Sequence, residues 1–102
     1  MRQFAVIALT VGLAWAPISQ AQDAKAAEAA LKSHGCLKCH SVSADKDGPS
    51  YKSVAAKYKG KADGAATVEG ELKKGMVGKE KHATFKGSDA DLKQVVTYIL
   101  SR

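Results

Sequence analysis

Downstream of its first 21 residues the chain has no tryptophan, one proline (Pro49) and one methionine (Met76). No stretch alternates apolar and polar residues as a half-buried strand would, and no segment repeats. There is no Ser-His-Asp set, no carboxylate pair and no glycine-rich nucleotide loop, so the usual machinery of hydrolysis, acid–base catalysis and phosphate binding is missing. Long apolar runs are missing too, with one exception at the N-terminus. Phe4 to Ala16 is apolar except for Thr10 and Gly12, a run of 13 residues, short of the roughly 20 that span a bilayer. Arg2 precedes it, Pro17 breaks it, and Ser19 and Ala21 put small residues on either side of Gln20. This is the form of a cleaved secretory leader over 1–21, with a mature chain of 22–102 and no permanent membrane anchor.

A mature chain of 81 residues buries little surface, and domains of this size often rely on a disulfide, a metal or another bound group. Arg2 is the only charged residue of the leader, so the remainder holds 15 Lys and Arg against 10 Asp and Glu. A basic balance is one mark of nucleic-acid binding, but export and the lack of a recognition motif argue against that partner. The two cysteines would ordinarily suggest a disulfide in an exported protein. Here they are Cys36 and Cys39, followed at once by His40.

The rest reads as helix and loop. Residues 23–34 are rich in Ala and Lys, strong helix formers, with Ala27, Ala30 and Leu31 on one face and Gly35 as the stop. Gly48-Pro49 is a turn signal, and 50–58 reads as a short helix with Tyr51, Val54, Ala55 and Tyr58 on one side. Asp63 is a candidate cap for a third helix to Lys74, carrying Ala66, Val68 and Leu72 but weakened by Gly64 and Gly70. Residues 75–87 show no period and read as a long loop, of the kind that tends to be functional or disordered. Ser88 then caps a last helix whose Leu92, Val95, Val96, Ile99 and Leu100 follow the spacing of a buried stripe, with Tyr98 flanking it. The expected fold is all-α, about four short helices.

Cys36-Leu37-Lys38-Cys39-His40 is the C-x-x-C-H pattern of c-type haem attachment. Each thiol adds to one vinyl group of the ring, and the next residue, His40, is held under the iron as a ligand. A thioredoxin-type dithiol needs a βαβ context that is absent. A zinc site normally needs four N or S ligands, and no second ligand pair is present at finger spacing. A disulfide across two residues would staple almost nothing.

The similarity extends beyond that motif. From Leu31 to the end the chain resembles the small bacterial class I cytochromes c, through Gly35-Cys36-Leu37-Lys38-Cys39-His40, the run from Asp47-Gly48-Pro49-Ser50-Tyr51 to Tyr58-Lys59-Gly60, and the ending Val95-Val96-Thr97-Tyr98-Ile99-Leu100-Ser101. The resemblance implies a small cytochrome c fold around one covalently bound haem c. It implies that the first and last helices cross near Leu31 and Tyr98, and that the Pro49 carbonyl accepts a bond from His40. It also implies a methionine flanked by prolines as the sixth iron ligand, and that motif is missing here. Counted back from the last helix, His82 falls on the family's methionine position; Met76 is the alternative, and an open or water-bound site a third. His34, on the attachment side, reads as a surface or haem-edge residue.

The function expected on these grounds is a periplasmic one-electron carrier with bis-His ligation, not an enzyme. The alternatives are a ligand-binding or sensing haem protein with a displaceable sixth ligand, and a haem subunit of a redox enzyme complex. Lys38, Lys79 and Lys81 would ring the haem edge and steer the protein toward periplasmic redox partners with acidic docking faces.

Overall fold

The computed structural model describes Gly12 and residues 20–102, with side chains of the first helix described from Ala24 onward. The leader expected over 1–21 lies outside the described residues, but for Gly12, Gln20 and Ala21. Among the described residues four helices carry the fold: α1 (Gln20–Ser33), α2 (Tyr51–Tyr58), α3 (Gly64–Lys74) and α4 (Asp89–Leu100), with a 3-10 turn at Cys36–Lys38. Among the described residues no helix is long and apolar enough to cross a membrane.

Local chemistry sets the helix ends. Ser50 and Ser88 each accept a backbone N–H three residues on, from Ser53 and Asp91, bonds whose removal costs typically ~1 kcal/mol. Gly35 and Gly75 close α1 and α3 with φ of 74° and 71°, backbone that glycine adopts without penalty. Asp63 stands at the start of α3, but its side chain makes no capping bond.

Helix α4 is the hub, packed against α1, α2 and α3 in turn. One cluster joins Ala27, Ala30 and Leu31 of α1 to Tyr51 of α2 and to Val95, Tyr98 and Ile99 of α4; a second joins Val68 of α3 to Leu92 and Val96. Tyr98, expected only to flank the stripe, is buried because α1 crosses over it, and Glu28 accepts its hydroxyl at 3.2 Å. Leu100 is only half-buried.

Two expectations are corrected. Ala66 faces solvent, and Gly64 is buried in its place. A Cβ on Gly64 would lie 3.1 Å from Cβ of Tyr58, so the missing side chain lets α3 approach α2 closely. The 75–87 segment is not a plain loop: Met76–Val77 (β1) and Glu80–Lys81 (β2) pair antiparallel, Met76 with Lys81 and Val77 with Glu80. Gly78 has φ 60° and no described non-glycine residue has positive φ, which is the type II′ turn pattern. Two residues per strand are too few to show a period of two.

Candidate haem site

The attachment segment is one tight turn. Gly35 reverses the chain in the left-handed region, and the amides of Cys39 and His40 both bond to the Cys36 carbonyl, at 3.3 and 3.1 Å. In a 3-10 turn residues i and i+3 eclipse, so Cys36 and Cys39 share one side of it. They form no disulfide with each other; Cys36 is half-buried and Cys39 exposed. Burial pushes the Cys36 thiol up, partly opposed by a backbone hydrogen bond.

The loop after His40 folds back beneath its ring. Gly48 N–H donates to Cys39 O at 2.8 Å, Tyr51 N–H to Ser41 O at 2.9 Å, and Ser50 N–H to Asp45 Oδ1 at 2.8 Å. The imidazole is then held on three sides. Its Nδ1 lies 2.7 Å from Pro49 O. The Tyr51 ring lies 5.5 Å away, tilted 22°. The Gly48 backbone lies so close that a Cβ there would sit 2.4 Å from His40 Cε1. A carbonyl oxygen only accepts, so Nδ1 carries the hydrogen and Nε2 of the neutral ring keeps its lone pair for a metal.

His82 is built the same way from another part of the chain. The hairpin returns the backbone to the end of α3, where His82 N–H donates to Gly75 O and Phe85 N–H to Leu72 O, both at 2.8 Å. His82 Nδ1 donates to Ala83 O at 2.7 Å, again leaving Nε2 with the lone pair. The His40 and His82 ring centroids are 6.0 Å apart with planes 30° apart. Met76 sits in β1, paired with Lys81, and is 36% exposed. His34 stands elsewhere, against Phe85 and Asp91.

Two imidazoles sharing one metal through ring nitrogens at roughly 2 Å each would set their centroids about 6 Å apart. The observed pair therefore suits an iron between them. Tyr51 supplies a second sign. It is buried, its hydroxyl has no partner among the described residues, and burial above all pushes its pKa far up. Buried polar atoms are nearly always paired, so an orphan beside His40 marks a place where a bound group completes the surroundings. Among the described residues no three or more His, Cys, Asp or Glu side chains gather as a metal cluster.

The cytochrome c family model matches residues 24–102. The chain belongs to the cytochrome c family. It is 36% identical to cytochrome c-552 of Hydrogenobacter thermophilus, over 99% of this chain and 98% of that one. It is 41% identical to cytochrome c2 of Rubrivivax gelatinosus, over 72% and 93%. Its fold is similar to the crystal structure of the class 1 cytochrome MtoD from Sideroxydans lithotrophicus ES-1, with a TM-score of 0.73, 40% identity and coverage of 78% and 95%. Small class I cytochromes c carry one covalently bound haem c, and this chain is such an electron carrier, exchanging electrons with redox partners.

Sequence reasoning missed three contributors to this site. Gly48 was legible only as half of a turn signal, and nothing in the sequence announced that an imidazole would lie against it. Tyr51 read chiefly as a packing residue, with a hydroxyl contact to a haem propionate only second. The Ala83 carbonyl, like any backbone group, leaves no mark in the side-chain pattern.

Proposed function

We propose that this chain is a periplasmic one-electron carrier whose haem iron is bound by His40 on one side and His82 on the other. The observation that carries the reading is the pair of imidazoles 6.0 Å apart between centroids, each with Nδ1 donating to a backbone carbonyl at 2.7 Å. Such outer bonds fix the orientation and tautomer of a metal-bound histidine and raise its basicity. When bound, haem c supplies a ferric–ferrous couple. Cys36 and Cys39 hold it through thioethers, His40 ligates from the attachment side, and the hairpin presents His82 from the other. Met76 is the weaker candidate, since it is paired in the exposed hairpin. Replacing a thioether ligand by imidazole lowers the potential, so the carrier works below its Met-ligated relatives.

The leader over 1–21 supports export to the periplasm. The lysines near the site, Lys38, Lys79 and Lys81, support docking to acidic faces, with association rates that fall as salt rises. The test is a pair of variants of the ferric holoprotein. His82→Ala is expected to turn the haem high-spin, and Met76→Ala to leave it low-spin and unchanged. The reverse pattern would move the sixth ligand to Met76.

A further inference from the structure

We propose that His34 is a positioning residue that holds the segment bearing His82 against the segment bearing His40. The inference rests on the reading of His82 as an iron ligand. Five residues, 83–87, separate His82 from the cap of α4. Their anchor is Phe85, whose half-buried ring packs on both core clusters. The His34 imidazole packs against that ring, with centroids 4.5 Å apart and planes at 44°. It also fills the space over Gly87. A Cβ there would lie 2.7 Å from His34 Cε1 and Nε2, and 2.8 Å from Phe85 Cε1. Across the same junction His34 Nε2 stands 3.7 Å from Asp91 Oδ2, in the first turn of α4.

His34 precedes Cys36 by two residues, at the end of α1. Its contacts with Phe85 and Gly87 thus tie the end of α1, which leads into the turn bearing Cys36, Cys39 and His40, to the segment that follows His82. Phe85 is held from below by the core and from above by His34, and its amide bond to Leu72 O (2.8 Å) fixes the backbone three residues after His82. Without the His34 ring, Phe85 loses one wall and Gly87 gains freedom. His82 would then leave the iron more often. Glycine at 87 is required for the same reason, because any side chain there would evict the His34 ring.

The experiment uses ferric holoprotein and two readouts, the rate of cyanide binding and amide hydrogen exchange. The variants are His34→Ala, Gly87→Ala and His34→Phe, with His82→Ala as the control for ligation. Loss of an aromatic pair corresponds to a factor of about three to ten in a local opening equilibrium. His34→Ala and Gly87→Ala are expected to speed cyanide binding and exchange of the Phe85 amide by about that factor, with the Val96 and Ile99 amides unchanged. His34→Phe, which keeps the ring, should restore both. An unchanged Phe85 amide in His34→Ala overturns the proposal. So does equal acceleration of the Val96 and Ile99 amides, which would make His34 a structural residue only. If His82→Ala stays low-spin, the ligand assignment has failed. The clamp on Phe85 is then still judged by its amide, whose local acceleration supports it and whose constancy removes it.

Discussion

Substituting Gly48 by alanine tests how the site holds His40. The new methyl would sit 2.4 Å from His40 Cε1, 2.7 Å from Nδ1 and 2.9 Å from Nε2, so either the ring or the loop must move. If the ring tilts, its bond to Pro49 O lengthens. If the loop retreats, it strains Gly48 N–H to Cys39 O and Ser50 N–H to Asp45 Oδ1, each 2.8 Å. Overpacking of this kind costs typically 1–3 kcal/mol, and a lost hydrogen bond adds about 1 kcal/mol. The sum is roughly 2–4 kcal/mol, a fall in Tm of order 10–25 °C for a domain of this size. Weakening the bond to Nδ1–H also makes the imidazole less basic, which favours the ferrous state and raises the potential. The assay is guanidinium unfolding and redox titration of the holoprotein, with Gly70→Ala as comparison. Gly70 lies inside α3 with nothing within 4 Å of an added Cβ, so alanine there should raise stability by about 0.5–1 kcal/mol. A Gly48→Ala protein as stable as wild type, with an unchanged potential, would refute the packing argument.

Further outcomes follow from the same geometry. The Tyr51 hydroxyl is buried without a partner among the described residues; if a haem-bound group completes its surroundings, Tyr51→Phe should lower the stability of the holoprotein by about 1 kcal/mol, and unchanged or higher stability would remove the hydroxyl as a mark of the haem site. Because the folded-state pKa of Tyr51 is raised, its contribution is complete below the ordinary tyrosine pKa and lost as pH climbs above about 10. Alkaline unfolding of Tyr51→Phe should therefore begin at higher pH. Lys73 Nζ lies 3.0 Å from Asp89 Oδ1 and ties the end of α3 to the start of α4. That lysine holds the Asp89 carboxyl below its ordinary value of 3.8. The contribution is thus present above that value and lost as pH falls through the depressed one. Asp89→Asn should flatten the acid limb of the stability profile slightly, and added salt should erase the difference.

The parts of the fold that repeat were legible in the sequence. Leu92, Val95, Val96 and Ile99 announced the hub helix because four residues at helical spacing leave little else to fit, and all four are buried. Ala27, Ala30 and Leu31 did the same for α1. What was not legible depends on close approach between distant segments. Gly64 looked like a defect in α3 and is a contact point with Tyr58. Ala66 looked like a core residue and is exposed, because α3 turns a different face inward. The hairpin before His82 was invisible at two residues per strand. The C-x-x-C-H pattern carried the haem reading together with the export signal ahead of it and the helical pattern around it, since its chemistry is local. His82 became a candidate ligand only from its position in the chain, and the contacts of His34 gave no signal, because its neighbours Phe85, Gly87 and Asp91 lie more than 50 residues away.

The most direct test of bis-imidazole ligation is the absorption spectrum of the ferric holoprotein at its red edge, where a methionine sulfur on ferric haem gives a weak charge-transfer band. His40 and His82 together predict a low-spin haem without that band. A low-spin haem with the band would put Met76 on the iron and contradict the account.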